Sequence, residues 1–288
     1  MKIFISILLI LVLVLSLTLG VDESAMTIQD AAFERAMIAF GLAKGLNAVI
    51  SLIQGTELSF TPVGIGLNFS VGEVLDPFND MVERFSWVML LATVSLGIQK
   101  ILLVLSSKIF IQVALILSVG LSLLFIWLKE VKNSLFLSYS LKLFILVLLL
   151  RFSAIVFVFI SQELYTSTLE PKYVEASAVI ENTKVELEEL QSKSKTLVQS
   201  QKQEGFFGSV GSKYDKIIES LNISRQLDSL QNSIDNASRK IITLITIFIM
   251  QSVVMPLLFL WMLILSVKLI FRSEFTFEQL NRVYNSKT

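Results

Sequence analysis

The apolar positions of this chain fall into long runs, broken by a polar stretch with a seven-residue period. Residues 1–20 carry Lys2, an apolar run over 3–18, and the small residues Thr18 and Gly20 at the −3 and −1 places of a cut. That pattern predicts a secretory signal peptide cleaved after Gly20, with a retained membrane anchor as the alternative. Residues 27–54 repeat apolar side chains at helical spacing (Ile28, Ala32, Ala39, Leu42, Leu46, Val49, Ile53), with Thr27 and Asp30 in the first turn and Gly55 as a stop. The charges in this run are Asp30, Glu34, Arg35 and Lys44. Much of its surface therefore needs cover, from a membrane surface, a sister subunit or ordinary packing.

Over residues 57–72 the period changes to two. Val63, Ile65, Leu67, Phe69 and Val71 alternate with Gly64, Gly66, Asn68 and Ser70, which predicts a strand. An isolated strand leaves its backbone groups unpaired. Either residues 58–61 or the same strand of another subunit would satisfy them; pairing between subunits is preferred, and Val63, Ile65, Leu67 and Phe69 are the candidate oligomer strand. Asp76-Pro77 then predicts a helix start, Asp as N-cap and Pro in the first turn. Asp76, Asp80 and Glu83 share one face of that helix and could grip a hard cation. A capped, solvated helix start explains them at less cost, so no metal site is assigned.

Four apolar runs follow at residues 87–107, 109–128, 143–161 and 241–271. The first is interrupted by Gln99-Lys100, and Phe85 and Trp87 suit its membrane border. The second offers Ser118, Gly120 and Ser122 for close helix packing. The last is longer than the roughly 20 residues needed to cross a bilayer and contains Gln251 and Pro256. None of the four contains Asp or Glu, which leaves carboxylate proton relays without a candidate. Arg151, near the middle of the third, is the buried charge of the set. With Gln112 and Gln251 it forms the candidate intramembrane polar site, Gln99 being a further possible partner. Such a site could hold an anion or lipid headgroup, or line a water-filled path. Structural pairing with Gln251 or with backbone carbonyls is the preferred reading.

Between the last two runs, residues 162–240 form a polar arm. Tyr173, Ile180 and Leu187 recur every seven residues, with Ala176, Thr183, Leu190 and Leu197 as companions. A second register pairs Ile223, Leu230 and Ala237 with Leu227, Ile234 and Ile241. The glycines of residues 205–211 supply a turn, so the arm is expected to be a long, coiled-coil-like helical hairpin. Phe206 and Phe207 at its tip are the candidate contact with a partner.

Composition narrows the chemistry. The chain of 288 residues is 54% hydrophobic and 17% charged, with zero net charge and neither His nor Cys. Disulfides, thiol nucleophiles, His-based acid–base catalysis and the usual zinc sites are excluded. No catalytic residue and no cofactor is assigned, and the charge balance does not favour nucleic acid as a partner. Lys129, Lys132, Lys142 and Arg272 lie in short segments. By the positive-inside rule they favour a cytoplasmic C-terminus and a periplasmic arm, with residues 87–107 interfacial or re-entrant. If residues 87–107 cross fully instead, the arm is cytoplasmic and the C-terminus lies outside.

Residues 55–87 (GTELSF…LDPFNDMVERFSW) and 148–156 (LLLRFSAIV) resemble uncharacterised inner-membrane proteins of Gram-negative bacteria. The resemblance implies a bacterial envelope location and brings no chemistry. The expected architecture is a mainly α, polytopic membrane protein. It comprises a signal peptide (1–20), an extramembrane helix with a short β segment (21–86), membrane helices (87–161), the hairpin arm (162–240), a long last membrane helix (241–271) and a tail (272–288). Its expected role is a non-enzymatic homo-oligomer of the inner membrane, whose arm scaffolds or tethers an envelope component. The alternative is a pore or transport subunit. Expected partners are membrane lipids, further copies of the chain, and another envelope protein through the arm.

Overall fold

The computed structural model describes residues 2–18, 20–57, 71–127, 135–201 and 212–272. Among these residues the chain is almost entirely helical. The helices are α1 (Lys2–Thr18), α2 (Val21–Glu57), α3 (Val71–Ser107), α4 (Ile109–Trp127), α5 (Leu135–Leu164), α6 (Glu170–Gln201), α7 (Ser212–Ile249) and α8 (Met255–Arg272). Two short π-helical segments, π1 (Tyr165–Leu169) and π2 (Met250–Val254), precede α6 and α8.

Several boundaries differ from those expected. The helix foreseen from Thr27 begins at Val21, because Asp22 and Glu23 complement the positive end of the helix dipole. Thr27 bonds back to the carbonyl of Glu23 (3.0 Å) inside the helix instead of marking its start. The helix foreseen from Asp76 begins at Val71, and Pro77 lies within it. Asp76 is not its cap; its carboxylate accepts a bond from Gln54 Nε2 at 2.7 Å and ties α3 to α2. Val71, the last residue of the expected strand, is helical, and no strand occurs among the described residues. Val63, Ile65, Leu67 and Phe69 lie outside the described residues, as do Phe206 and Phe207.

The expected single helix over residues 241–271 is divided at π2. Proline supplies the reason. Pro256 has no N–H to give the carbonyl four residues back, that of Ser252, the middle residue of π2. Pro171 stands in the same relation to Ser167, the middle residue of π1. Each proline is the second residue of the helix that follows, where its fixed φ is suited to a restart.

Among the described residues, five helical segments are long and apolar enough to cross a membrane: Val21–Gln54, Leu75–Ser107, Ile109–Trp127, Phe136–Ser192 and Ser229–Arg272. Their exposed faces support that reading. On α3 the side chains of Trp87, Leu91, Val94, Ile98, Ile101 and Leu105 are exposed along one helical stripe. On α8 no residue is buried. Apolar surface of this extent is stable against lipid and not against water.

The chain divides into two compact units. Unit 1 comprises Met1–Phe33, Val94–Leu164 and Gln251–Thr288; unit 2 comprises Glu34–Thr93 and Tyr165–Met250. In unit 1, Leu9 of α1 packs with Val119 and Ile126 of α4 and with Leu137, Leu141 and Phe144 of α5. A second cluster joins Ala25, Leu103, Ile155, Phe157 and Val158, with Phe259 of α8 against Phe157 at 5.0 Å. The segment expected to be a removable signal peptide is thus packed as a helix of unit 1, its Ser6 accepting a bond from Trp127 Nε1 (3.3 Å).

In unit 2 part of the seven-residue pattern falls on buried positions; Leu197, Ile223 and Leu227 lie outside the residues whose burial is described. Ala176, Ile180, Thr183 and Leu187 of α6 are buried, as are Leu230, Ile234, Ala237 and Ile241 of α7. α6 and α7 run antiparallel, as the ion pair Glu175–Lys240 and the ring contact Tyr173–Phe248 (6.0 Å) require. They are not a hairpin standing alone, however. Lys184 of α6 lies against Gly45 of α2, where an added Cβ would come within 3.2 Å of it, and the Arg35 guanidinium stacks over Tyr165 at 3.9 Å.

Candidate functional site

Arg151, the charge of the expected intramembrane polar site, pairs with a carboxylate. Arg151 lies on α5 and is 2% exposed. Its guanidinium makes a forked bond to Asp22 at the start of α2, Nη1 to Oδ1 at 2.8 Å and Nη2 to Oδ2 at 2.5 Å. Two parallel charge-assisted bonds suit a planar guanidinium better than any amide could, so a carboxylate outcompetes the expected glutamines. Ala25, Leu103, Ile155 and Val158 form the apolar cluster beside it. In such surroundings an unpaired cation would be costly, and the pair is the form in which Arg151 can be buried. Arg151 Nε has no partner among the described residues.

Gln112 and Gln251 do not join this pair among the bonds of the described residues. Gln112 Nε2 bonds the carbonyl of Ser107 at 3.3 Å, across the break between α3 and α4. Gln251 is buried within π2. The polar partner that π2 does have is Ser95 of α3, whose hydroxyl donates to the carbonyl of Ser252 at 2.6 Å. Gln99 Nε2 in turn approaches Ser95 Oγ at 3.4 Å.

A second ion pair lies in unit 1. Lys100 Nζ stands 2.6 Å from Asp30 Oδ1, which answers the Lys that interrupts the run at 87–107. Its neighbours are the Phe33 ring at 5.9 Å and the bond from Gln29 Nε2 to the carbonyl of Leu96 at 3.0 Å. The helices approach closely here: a Cβ on Gly97 would meet the Phe33 ring at 3.4 Å. The four apolar runs contain no acid, but they are not the whole set of candidate spans. α2 is itself a candidate span, and it brings Asp22 and Asp30 to the two cations.

Chemically, this arrangement neutralises charge in pairs and joins α2 to α5 and to α3. It presents no activated nucleophile and no general acid–base pair. Asp76, Asp80 and Glu83 are not gathered into a ligand set, and no group of three acidic residues that could hold a metal occurs among the described residues. In unit 2 a shallow groove of about 410 Å³ runs between α2 and α6, lined by Ile38, Leu42, Ala178, Glu181 and Lys184 among others.

Two features escaped the sequence reading. Asp22 stood beside the expected cut and 129 residues from its partner. The Ser95 bond could be sought by noting that Pro256 has no N–H for the Ser252 carbonyl four residues back. Comparison with known protein families, curated proteins and solved structures returns no match.

Proposed function

We propose that this chain is a non-enzymatic, oligomeric scaffold of a bacterial inner membrane, with α6 and α7 as the element that tethers another envelope component. The observation that carries the reading is the Asp22–Arg151 pair. A conduit or ion-coupled transporter needs charge that can be left unpaired or exchanged along a path. Here the most buried charge is locked by a forked bond to a carboxylate, which is a device for holding helices in register.

Orientation follows from charge. Lys142 bonds the carbonyl of Phe271 at 3.0 Å, which puts the start of α5 and the end of α8 at one end of unit 1, with Arg272 beside them. By the positive-inside rule this end faces the cytoplasm. α5 runs away from it and α8 runs back to it, and the arm is assigned to the periplasm on that charge argument. The exposed stripe on α3 offers a face for a second copy of the chain.

The test is the mass of the protein extracted from membranes in mild detergent. The reading expects a multiple of the 32.3 kDa chain mass, and a monomer at every concentration would contradict it. Labelling distinguishes the sides, because the chain has no Cys of its own. Ser192→Cys should react with an impermeant reagent in spheroplasts and Ser286→Cys should not.

A further inference from the structure

The end of unit 1 that carries Lys142 combines three features that belong together at a lipid headgroup layer. First, four helix ends meet there. Ser6 near the start of α1 bonds Trp127 at the end of α4, Phe125 stacks on Phe136 near the start of α5 (6.1 Å), and Lys142 bonds Phe271 at the end of α8. α1, α4 and α8 have 17, 19 and 18 residues. At 1.5 Å per residue each is about 26–29 Å long, one hydrocarbon core. Second, this end is ringed by exposed aromatic side chains: Trp127, Phe136, Tyr139 and Phe271. Rings of this kind settle where acyl chains meet headgroups.

Third, among the described residues of this end the charge is of one sign. Lys268 and Arg272 are exposed at i and i+4 on α8, and Lys142 lies beside the Tyr139 ring at 5.8 Å. Neither α1, α4, α8 nor residues 135–150 of α5 contains an acid. Like charges at i and i+4 repel, and no carboxylate on these helices offsets them. The deeper cation, Arg151, has Asp22 as its counterion; this group has none on its own helices.

From this we infer that the Lys142 end of unit 1 is a binding surface for anionic phospholipid, with Lys268 and Arg272 taking the headgroup phosphate and Tyr139 and Phe271 flanking the glycerol and acyl region. An Arg fork and an ammonium are the groups suited to a phosphodiester. A bilayer is the source of anion that meets every such end at once. The inference rests on the chain spanning a membrane, not on its acting as a scaffold.

The experiment uses the full chain purified in detergent and mixed with equal amounts of phosphatidylglycerol and phosphatidylcholine. Lipid retained on the protein is counted by native mass spectrometry. Wild type should retain phosphatidylglycerol preferentially. Lys268→Gln and Arg272→Gln should each weaken that preference about fivefold, the ratio equivalent to the ~1 kcal/mol of one cation near an anionic surface. Lys108→Gln, an exposed cation at the far end of α4, should leave it unchanged. Equal retention of the two lipids by wild type would overturn the inference. So would an equal loss in all three variants, since that would report total charge and not a site.

Discussion

The Ser95 hydroxyl donates to the carbonyl oxygen of Ser252 at 2.6 Å, and Ser252 is the residue whose carbonyl Pro256 cannot serve. A side chain on α3 thereby bonds the carbonyl to which Pro256 has no N–H to offer. The cost of proline within a long apolar helix is offset by a hydroxyl 157 residues away.

This relationship predicts a specific coupling. Ser95→Ala should lower the thermal stability of the detergent-solubilised protein by about 1 kcal/mol, the net worth of one such bond. In a Pro256→Ala background, where residue 256 regains its N–H, the same substitution should cost close to nothing. A full cost in both backgrounds, measured by a double-mutant cycle, would show that the hydroxyl acts in some other way.

The Asp22–Arg151 pair predicts an asymmetry. Asp22→Ala should destabilise by about 3 kcal/mol, the low end for removing one member of a buried pair, because Asp22 itself keeps 31% exposure. The double substitution Asp22→Leu with Arg151→Met should recover most of that loss, since no charge is then left buried. Unfolding midpoints of the single and double variants check this. A double variant less stable than Asp22→Ala would contradict it.

How far these features were legible depends on their range along the chain. The run at 143–161 falls within α5 and that at 109–128 matches α4 as far as Trp127, and Ile180, Leu187, Leu230 and Ile234 of the seven-residue pattern are buried. Both are periodic signals, carried by neighbours within a few turns. The ion pairs were not legible, because Asp22 and Arg151 are joined by tertiary packing. Asp76-Pro77 misled for a related reason: an Asp before Pro is a good local cap, but Gln54 of another helix claims that carboxylate. The break at Pro256 was visible as a residue. Its consequence required knowing that Ser95 lies opposite.

The packing of α1 predicts that it stays with the protein. Removing residues 1–20 would strip the unit 1 cluster of Leu9 and of Ile5, Val12 and Leu13 packed around it. Intact-mass measurement of protein taken from membranes should return the 32.3 kDa of the whole chain. A mass short by residues 1–20 would show that the cut after Gly20 is made and that the cluster closes without α1.

The proposal that the buried charges hold helices together, and do not serve a path, is tested most directly by flux. Purified protein is reconstituted into liposomes loaded with a potassium-, chloride- or proton-sensitive dye, and leakage is compared with empty liposomes under an applied gradient. The scaffold reading predicts no flux above the empty control, for wild type and for Arg151→Gln alike. A protein-dependent flux that Arg151→Gln alters in rate or selectivity would contradict it and make the chain a pore or transport subunit.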